Sequence, residues 1–278
     1  MGIITVSRTH GSGGTAFATE LAKYLDYRFI NRTILNNDCQ GKNDHVCIFG
    51  LDEEGPSEFE RNDRELLSNV DFYKVSLMAN IIDRALKYNV VFAGMGAGII
   101  LSDTPEVLNI RVVRLLSERV KAIALVKNIP YDDAFDLVER MDEGKRTYIS
   151  QHFGTDVDDP TLYHLTINSS HIPMEDAVSF VVNHAERHFT GSRKTETENS
   201  LKRLLLEKRA EILLFRLGMA HSYGKVSFRA SDNSTLTVRG TLRNEAEKDL
   251  LLENLRNNQE IKKIDADLQT GILPDGSL

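Results

Sequence analysis

The feature that most constrains this chain is a glycine-rich turn near its start, between a short apolar run and a helical pattern. Residues 3–6 are apolar and predict a buried strand, and residues 15–25 have the apolar spacing of a helix. Glycines in such a turn let backbone amides point inward, and the helix N-terminus adds partial positive charge. The turn therefore predicts a phosphate-binding loop. The candidate phosphate contacts are Arg8, His10, Gly11, Ser12, Gly13, Gly14 and Thr15.

Two positions of this turn depart from the full phosphate-loop pattern. That pattern places a lysine and then a hydroxyl residue after the last glycine of the loop. Here Gly14 stands at the lysine position and Ala16 at the hydroxyl position. A turn with these substitutions also fits a role in packing alone, so the loop needs support from the rest of the chain.

The pattern downstream of the turn alternates between strands and helices. Further strands are predicted at residues 90–93, 109–115 and 165–167. Helices are predicted at residues 15–25, 70–87, 117–127, 130–143 and 174–189. The interleaving of strands and helices indicates an α/β fold, a doubly wound parallel sheet with helices on both faces.

The composition changes after this region. Residues 190–200 are mostly Gly, Ser, Lys, Thr and Glu, which is typical of a linker. A helix at 201–217, strands at 225–229 and 235–240, a helix at 244–257 and a strand at 261–270 follow. We therefore predict a first domain at residues 1–190, a linker at 191–200 and a small α+β domain at 201–273.

Charge and apolar content exclude several classes of partner. The formal net charge is -7 and the pI is about 5.7, so there is no overall basic field to attract nucleic acid. No run approaches the roughly 18 apolar residues of a membrane span, and the N-terminus does not have the pattern of a signal peptide. We expect a cytoplasmic protein without a membrane span or a nucleic-acid partner.

The two cysteines do not indicate a metal site. Cys39 and Cys47 flank His45, but their spacing matches no zinc template and a fourth ligand is missing. Reduced thiols are the expected state, and a disulfide between the two is the alternative.

An ordered series of short motifs resembles the cytidylate kinase-like family. It begins with Ser7-Arg8, the Gly-Ser-Gly-Gly of the turn and Asn31-Arg32, and it extends over about residues 3–189. Residues 94–97 are similar to the family's Gly-Arg-Gly-Ala, with Met95 in place of arginine. Residues 142–148 are similar to its Asp-x-x-Arg-x-x-Tyr, and residues 162–168 to its Leu-Tyr-Asp-Leu-x-Ile-Asn, with His164 in place of aspartate.

The resemblance implies a fold and an activity. The fold is that of a P-loop NTPase, and the activity is an ATP-dependent nucleotide kinase that phosphorylates a nucleoside monophosphate with ATP and Mg²⁺. Arg119 fits the position of the family's donor-facing arginine, whereas Lys145 replaces the lid arginine and Arg146 lies beside it. These three are the candidate catalytic residues. The family often compensates for its missing lysine with an arginine just after the glycines, but here that position is Thr15. With Ala16 at the hydroxyl position, Mg²⁺ is expected to be held largely by water, with Ser12 or Thr15 as substitutes.

The acceptor pocket is expected between the first helix and residues 66–87. Arg61, Arg64 and Arg84 are the candidates for its phosphate contact. Acidic residues surround Arg61 and Arg64, so local ion pairing is the alternative for these two. The base of the acceptor is not encoded in any motif.

The C-terminal residues resemble a BON domain, a small α/β module that binds lipids, other ligands or proteins. The resemblance rests on the strand that ends at Gly240, the helix from Asn244 and the strand that follows. We expect a binding or self-association module. This leaves a second function class open: a catalytically impaired nucleotide sensor or scaffold that acts through this module, because the missing lysine and arginines would slow phosphoryl transfer.

Overall fold

The structure is a computed structural model that describes residues 1–39 and 64–271. The chain divides into two compact units. The first unit is Met1–Glu60 with Lys87–Lys194, and the second is Arg61–Leu86 with Thr195–Leu278.

The first unit is built on a parallel sheet of five strands. These are β1 (Ile3–Arg8), β2 (Arg28–Ile30), β3 (Val90–Ala93), β4 (Val107–Val113) and β5 (Leu165–Asn168), in the order β2-β3-β1-β4-β5. Every neighbouring pair is parallel. The sequence prediction of a parallel α/β sheet is confirmed. The strand order reverses beside β1, and parallel sheets bind ligands at the carboxyl ends of the strands at that point.

The helices follow in chain order. They are α1 (Gly14–Leu25), α2 (Arg32–Cys39), α3 (Arg64–Lys87), α4 (Ala97–Ile100), α5 (Leu116–Lys127), α6 (Tyr131–Phe153) and α7 (Met174–His188). One face of the sheet forms the apolar core with α1 and α7: Ile4, Val6 and Val112 pack with Phe17 and Val178. Strands buried in this way appear in the sequence as continuous apolar runs, which is why they could be predicted.

The helix predicted at 130–143 is longer in the structure. α6 continues through Gly144 and ends at Phe153, where Gly154 adopts a left-handed conformation with φ 64°. A glycine inside a helix costs about 1 kcal/mol relative to alanine. Packing outweighs that cost, since Ile149 is 4% exposed. The segment predicted to act as a lid therefore lies within a long helix.

The second unit contains α3, α8 (Lys194–Arg216), β6 (Val226–Ala230), β7 (Thr235–Leu242), α9 (Glu245–Arg256) and β8 (Lys263–Thr270). Its sheet has the order β6-β7-β8, antiparallel between β6 and β7 and parallel between β7 and β8. Its core includes Leu214, Phe228, Leu236 and Leu251. This unit has a core of its own.

Two features of the second unit differ from the sequence-based division. α8 begins at Lys194, inside the segment 191–200 that composition marks as a linker, because Thr197 and Ser200 are buried despite being polar. α3 groups with the second unit, where the ring centroid of Phe72 lies 5.3 Å from that of Phe215. In the described part of the chain, no helix combines the length and the apolar character needed to cross a membrane.

Candidate functional site

The glycine-rich turn connects β1 to α1 at the carboxyl end of the central strand. Gly11 and Gly13 have φ values of 78° and 80°, in the left-handed region that favours glycine. A Cβ on Gly11 would also lie 3.2 Å from Arg119 Cβ and from Ile123 Cγ1. The loop backbone therefore needs glycine at both positions, and Gly11 also allows the close approach of α5.

The N-terminus of α1 carries no negative charge of its own. Gly13 precedes it in the left-handed conformation, and within residues 1–39 and 64–271 no side chain caps it. The first turn also contains no acidic residue. The first amide groups of a helix have no partner inside the helix, so this end is an electropositive site that favours an anion.

A buried ion pair fixes the loop. Asp142 of α6 accepts the backbone N–H of His10 through Oδ1 at 2.8 Å, and Arg119 Nη1 donates to its Oδ2 at 2.5 Å. Arg119 Nη1 also donates to the His10 carbonyl at 2.9 Å. Arg119 and Asp142 are 7% and 6% exposed. The structure thus places Arg119, a candidate catalytic residue, in a buried network that positions the loop.

The other two candidate catalytic residues lie on the same helix. Lys145 Nζ donates to the Arg8 carbonyl at 2.7 Å, so it contacts the start of the loop. Arg146 forms ion pairs with Glu143 at 2.9 Å and with Asp158 at 3.7 Å. The hydrogen bond to Glu143 and the nearby carboxylates raise the pKa of Arg146.

The hydroxyls of Ser12 and Thr15 have different environments. Ser12 is 1% exposed, and its Oγ donates to the Thr9 carbonyl at 2.8 Å. Ser169 Oγ in turn donates to the Ser12 carbonyl at 2.8 Å. Thr15 is exposed in the first turn of α1. Ser12 therefore holds the loop together, while Thr15 is the hydroxyl that faces solvent.

Arg8 occupies the space beside two glycines. A Cβ added to Gly14 would lie 2.5 Å from Arg8 Cβ, and one added to Gly94 would lie 1.9 Å from Arg8 Nη1. The stem of Arg8 thus passes the position where other phosphate loops carry lysine. Its guanidinium lies over Gly94, next to the position where Met95 replaces arginine. The charge of Arg8 therefore lies near the position of the missing arginine, and its uncharged stem lies beside the position of the missing lysine.

Sequence reasoning missed a second arginine cluster at this edge of the sheet. Arg111 of β4 is 6% exposed and donates through Nη1 to Ser7 Oγ and to Tyr163 Oη, both at 3.2 Å. Its Nη2 pairs with Asp158 Oδ1. A charged residue inside the apolar run of β4 was the sequence signal, because a buried arginine needs a partner.

Several candidate residues of the sequence analysis cannot be placed. Arg61, His45 and Cys47 lie outside the described residues, as do the side chains of Arg64 and Cys39. Arg84 is 4% exposed, with Nη1 3.1 Å from Asp83 Oδ2. A search of the part of the chain that the structure describes finds no group of three or more His, Cys, Asp or Glu side chains placed to hold a metal ion.

Fold and loop together define an α/β protein of the P-loop type, with a glycine-rich phosphate loop that lacks its lysine. The chain belongs to the cytidylate kinase-like family, whose profile matches residues 3–171.

Curated relatives match the same region. A cytidylate kinase of Thermococcus kodakarensis is 26% identical over 191 residues, which is 68% of this chain and 90% of the relative. A cytidylate kinase of Pyrobaculum aerophilum is 26% identical over 179 residues, covering 64% of this chain and 89% of the relative. Among solved structures, an uncharacterized protein from Eubacterium ventriosum matches with a TM-score of 0.53 at 17% identity, over 67% of this chain and 99% of that one. The structural match supports the fold alone.

Proposed function

We propose that this protein is an ATP-dependent nucleotide kinase that transfers a phosphoryl group to a nucleoside monophosphate. The observation that carries the proposal is the position of Arg8. Its aliphatic stem fills the space beside Gly14, and its guanidinium lies beside Gly94, next to Met95, where the motif lacks an arginine. Family membership supports the same class of reaction.

The loop binds the donor phosphates in this proposal. The N-terminus of α1, which has no side-chain cap in the described residues, would supply amide donors together with the loop glycines. Asp142 and Arg119 hold that backbone in place through His10. Such a prearranged set of amides binds an anion without reorganising.

Phosphoryl transfer needs two substrates held in line and positive charge around the group in transit. Arg8 supplies that charge from the strand, and Lys145 and Arg146 supply it from α6. Removing one prearranged charged donor typically costs about 10²–10³ in rate. Arg8 is therefore the residue on which activity depends most.

The residues present fit a Mg²⁺ ion that is held mainly by phosphate oxygens and water. Thr15 is the exposed hydroxyl in the first turn of α1, whereas the hydroxyl of Ser12 is bonded to Thr9. When bound with ATP, Mg²⁺ neutralises phosphate charge. Thr15 would then orient one of its water ligands.

A phosphotransfer assay tests the proposal. Protein, ATP and Mg²⁺ are incubated with CMP, dCMP, UMP or AMP, and nucleoside diphosphates are separated by chromatography. We expect turnover with one monophosphate, reduced about 100-fold in Arg8→Met. Arg28→Met is the matched control, because Arg28 is exposed and lies over the Tyr88 ring, 4.5 Å from its centroid. Absence of product with all four acceptors would overturn the proposal.

A charge-relocation pair tests the role of Arg8 directly. The single variant Gly14→Lys restores the lysine, but we expect it to be less active than the wild type. The Cβ of the new lysine would lie 2.5 Å from Arg8 Cβ, too close for both side chains to keep their positions. Arg8→Gly with Gly14→Lys frees that space and moves the charge to the usual position. We expect the double variant to exceed both single variants in kcat. A double variant no better than Arg8→Gly would show that Arg8 does not replace the lysine.

A second function class has its own supporting observation. Arg119 and Lys145 already bond to Asp142 and to loop carbonyls, which favours a nucleotide sensor of low turnover. In that case the second unit would act as a BON-like module for a protein partner or for self-association. Its α9–β8 face has a cavity of about 330 Å³ with a basic rim that includes Arg256, Lys262 and Lys263. Tight ATP binding without turnover, together with a nucleotide-dependent change in oligomeric state by sedimentation, would select this function.

A further inference from the structure

Asp158 sits between two arginines at the carboxyl edge of the sheet in the first unit. Its Oδ1 pairs with Arg111 Nη2, and its Oδ2 lies 3.7 Å from Arg146 Nη1. The two oxygens of one carboxylate thus face two guanidinium groups from different elements, β4 and α6. This is the charge arrangement of an anion site that contains an intramolecular carboxylate.

Arg111, the arginine on β4, is held in place by its neighbours. Arg111 is 6% exposed, and Ser7 and Tyr163 each accept from its Nη1 at 3.2 Å. Tyr163 Oη donates in turn to the Val157 carbonyl at 2.7 Å, and the Arg111 guanidinium lies 5.3 Å from the Tyr163 ring centroid. A guanidinium held in this way presents its donors in one direction, as a site for a planar or tetrahedral oxyanion requires.

The carboxylate is the accessible member of the cluster. The side chain of Asp158 is 44% exposed, compared with 7% for Arg111. Solvent and dissolved anions therefore reach the position of the carboxylate but not the arginine behind it. Because a buried arginine is costly without a counter-ion, whatever displaces Asp158 must itself be negative.

The cluster lies directly beside the phosphate loop. Ser7 pairs with Arg111 in the sheet, and Arg8 pairs with Val112. Successive side chains of a strand point to opposite faces. Arg8 and Arg111 thus approach the carboxyl edge from the two faces of the sheet, one on the side of α1 and the other on the side of Asp158.

We infer that Arg111 and Arg146 form a binding site for the phosphate group of a nucleotide substrate, and that Asp158 holds the place of this phosphate until the substrate displaces it. The inference rests on the proposed function and extends it, because it assigns the second phosphate site. A phosphate dianion matches both arginines at once, as the carboxylate does, and carries more charge. Displacement frees the side chain of Asp158 from Arg111 when substrate binds.

The test compares three ligands on the full chain by titration calorimetry: inorganic phosphate, CMP and a non-hydrolysable ATP analogue. Asp158→Asn removes the competing charge and keeps the size of the side chain. We expect it to tighten binding of phosphate and of one nucleotide about tenfold, and the nucleotide that responds identifies the substrate bound there. Glu143→Gln is the matched control, since it removes the other carboxylate from Arg146, and it should leave each Kd within about twofold.

A second variant keeps the test independent of folding. Arg111→Met with Asp158→Leu removes the charge and its partner together, so that no buried charge is left unpaired. We expect this variant to lose binding of the responding nucleotide while the other nucleotide binds as in the wild type. Unchanged affinity for phosphate, CMP and the analogue in Asp158→Asn would overturn the inference.

The outcomes separate the inference from the proposed function. Phosphate and CMP binding that tightens in Asp158→Asn, without any diphosphate product in the transfer assay, supports the site and overturns the kinase. Turnover in the wild type with KM values unaffected by Asp158→Asn supports the kinase and overturns the site.

Discussion

Two helices of equal length begin in opposite ways in the two units. α1 and α9 each have 12 residues. α9 begins after Asn244, whose side chain accepts the Glu247 N–H at 2.9 Å, and its first turn carries Glu245 and Glu247. α1 begins after Gly13, without a side-chain cap in the described residues and without an acidic residue in its first turn.

The two helix N-termini differ in which residues stabilise them. α9 satisfies its own N-terminus with nearby side chains, as a helix that only has to be stable does. α1 leaves its electropositive end open, and the loop before it is held from a distance, by Asp142 on α6. Local rules that are broken at one point of a well-packed fold mark functional sites. The comparison therefore favours the start of α1 as the binding site.

The first way to test this comparison is to remove Asp142, which lies on α6 and holds the loop before α1. In Asp142→Ala, Arg119 keeps a buried charge without its partner, and the His10 N–H loses its acceptor. We expect the free energy of unfolding to fall by about 3–5 kcal/mol, measured by urea denaturation. Binding of the ATP analogue should weaken with it.

The matched control is Glu260→Ala in the second unit. Glu260 pairs with Arg209, but the two side chains are 52% and 40% exposed, so the loss should stay within about 1 kcal/mol. Equal losses in the two variants would mean that the Asp142 network gives the loop no special support.

The second way to test the comparison is to add a negative charge at the N-terminus of α1. Thr15→Asp places a carboxylate in the first turn of α1, where Thr15 is exposed. Stability should rise by about 0.3–1 kcal/mol through the helix dipole, while affinity for the ATP analogue falls at least about tenfold through like-charge repulsion. Thermal unfolding and calorimetry measure the two effects. The uncharged control Thr15→Asn keeps a polar side chain at this position and should show neither effect. Tighter binding in Thr15→Asp would contradict an anion site.

The third way to test the comparison is to remove the side-chain cap at the N-terminus of α9. Asn244→Ala removes the side-chain cap of α9, and the free energy of unfolding should fall by about 1 kcal/mol. The variant should bind the ATP analogue as the wild type does, because the cap serves stability only. A change in nucleotide affinity would show that the second unit contributes to the binding site.

The smallest expected effect is a pH dependence at the same helix end. Hydrogen bonds from Thr270 and then from Lys248 lower the pKa of Glu245. A lowered pKa in the folded state stabilises the protein above the ordinary glutamate pKa of about 4.3, and this contribution is lost as the pH falls through the folded-state value. Glu245→Gln should therefore lower Tm at pH 7 and leave it unchanged well below pH 4. A Tm difference that persists in acid would point to packing instead of charge.

Much of the fold could be predicted because its signals are local. The buried strands are continuous apolar runs, and the glycine turn follows the first of them directly. β2 was missed because three residues, Arg28–Ile30, are too short to show a period. The end of α6 was misplaced because packing of Ile149 outweighs the helix cost of Gly144.

The candidate site was predictable only in part. The loop glycines follow from the sequence, since their backbone requirement is local. The ion pair between Arg111 and Asp158 could not be predicted from the sequence, because the two residues are 47 positions apart. Arg8 was a candidate phosphate contact from the sequence, but its place beside Gly14 and Gly94 was not predicted, since it depends on the spacing of two neighbouring strands.

The sequence by itself determined the strands of the parallel sheet except β2, the position of the phosphate loop and the loss of its lysine. These features depend on residues that are close to one another in the sequence. The tertiary structure decided where each charge goes: Arg119 to Asp142 across 23 residues, Lys145 to the Arg8 carbonyl across 137, and Arg111 to Asp158. The physical reason is that ion pairs and steric fit depend on distances between segments, which are set only when the sheet brings those segments together.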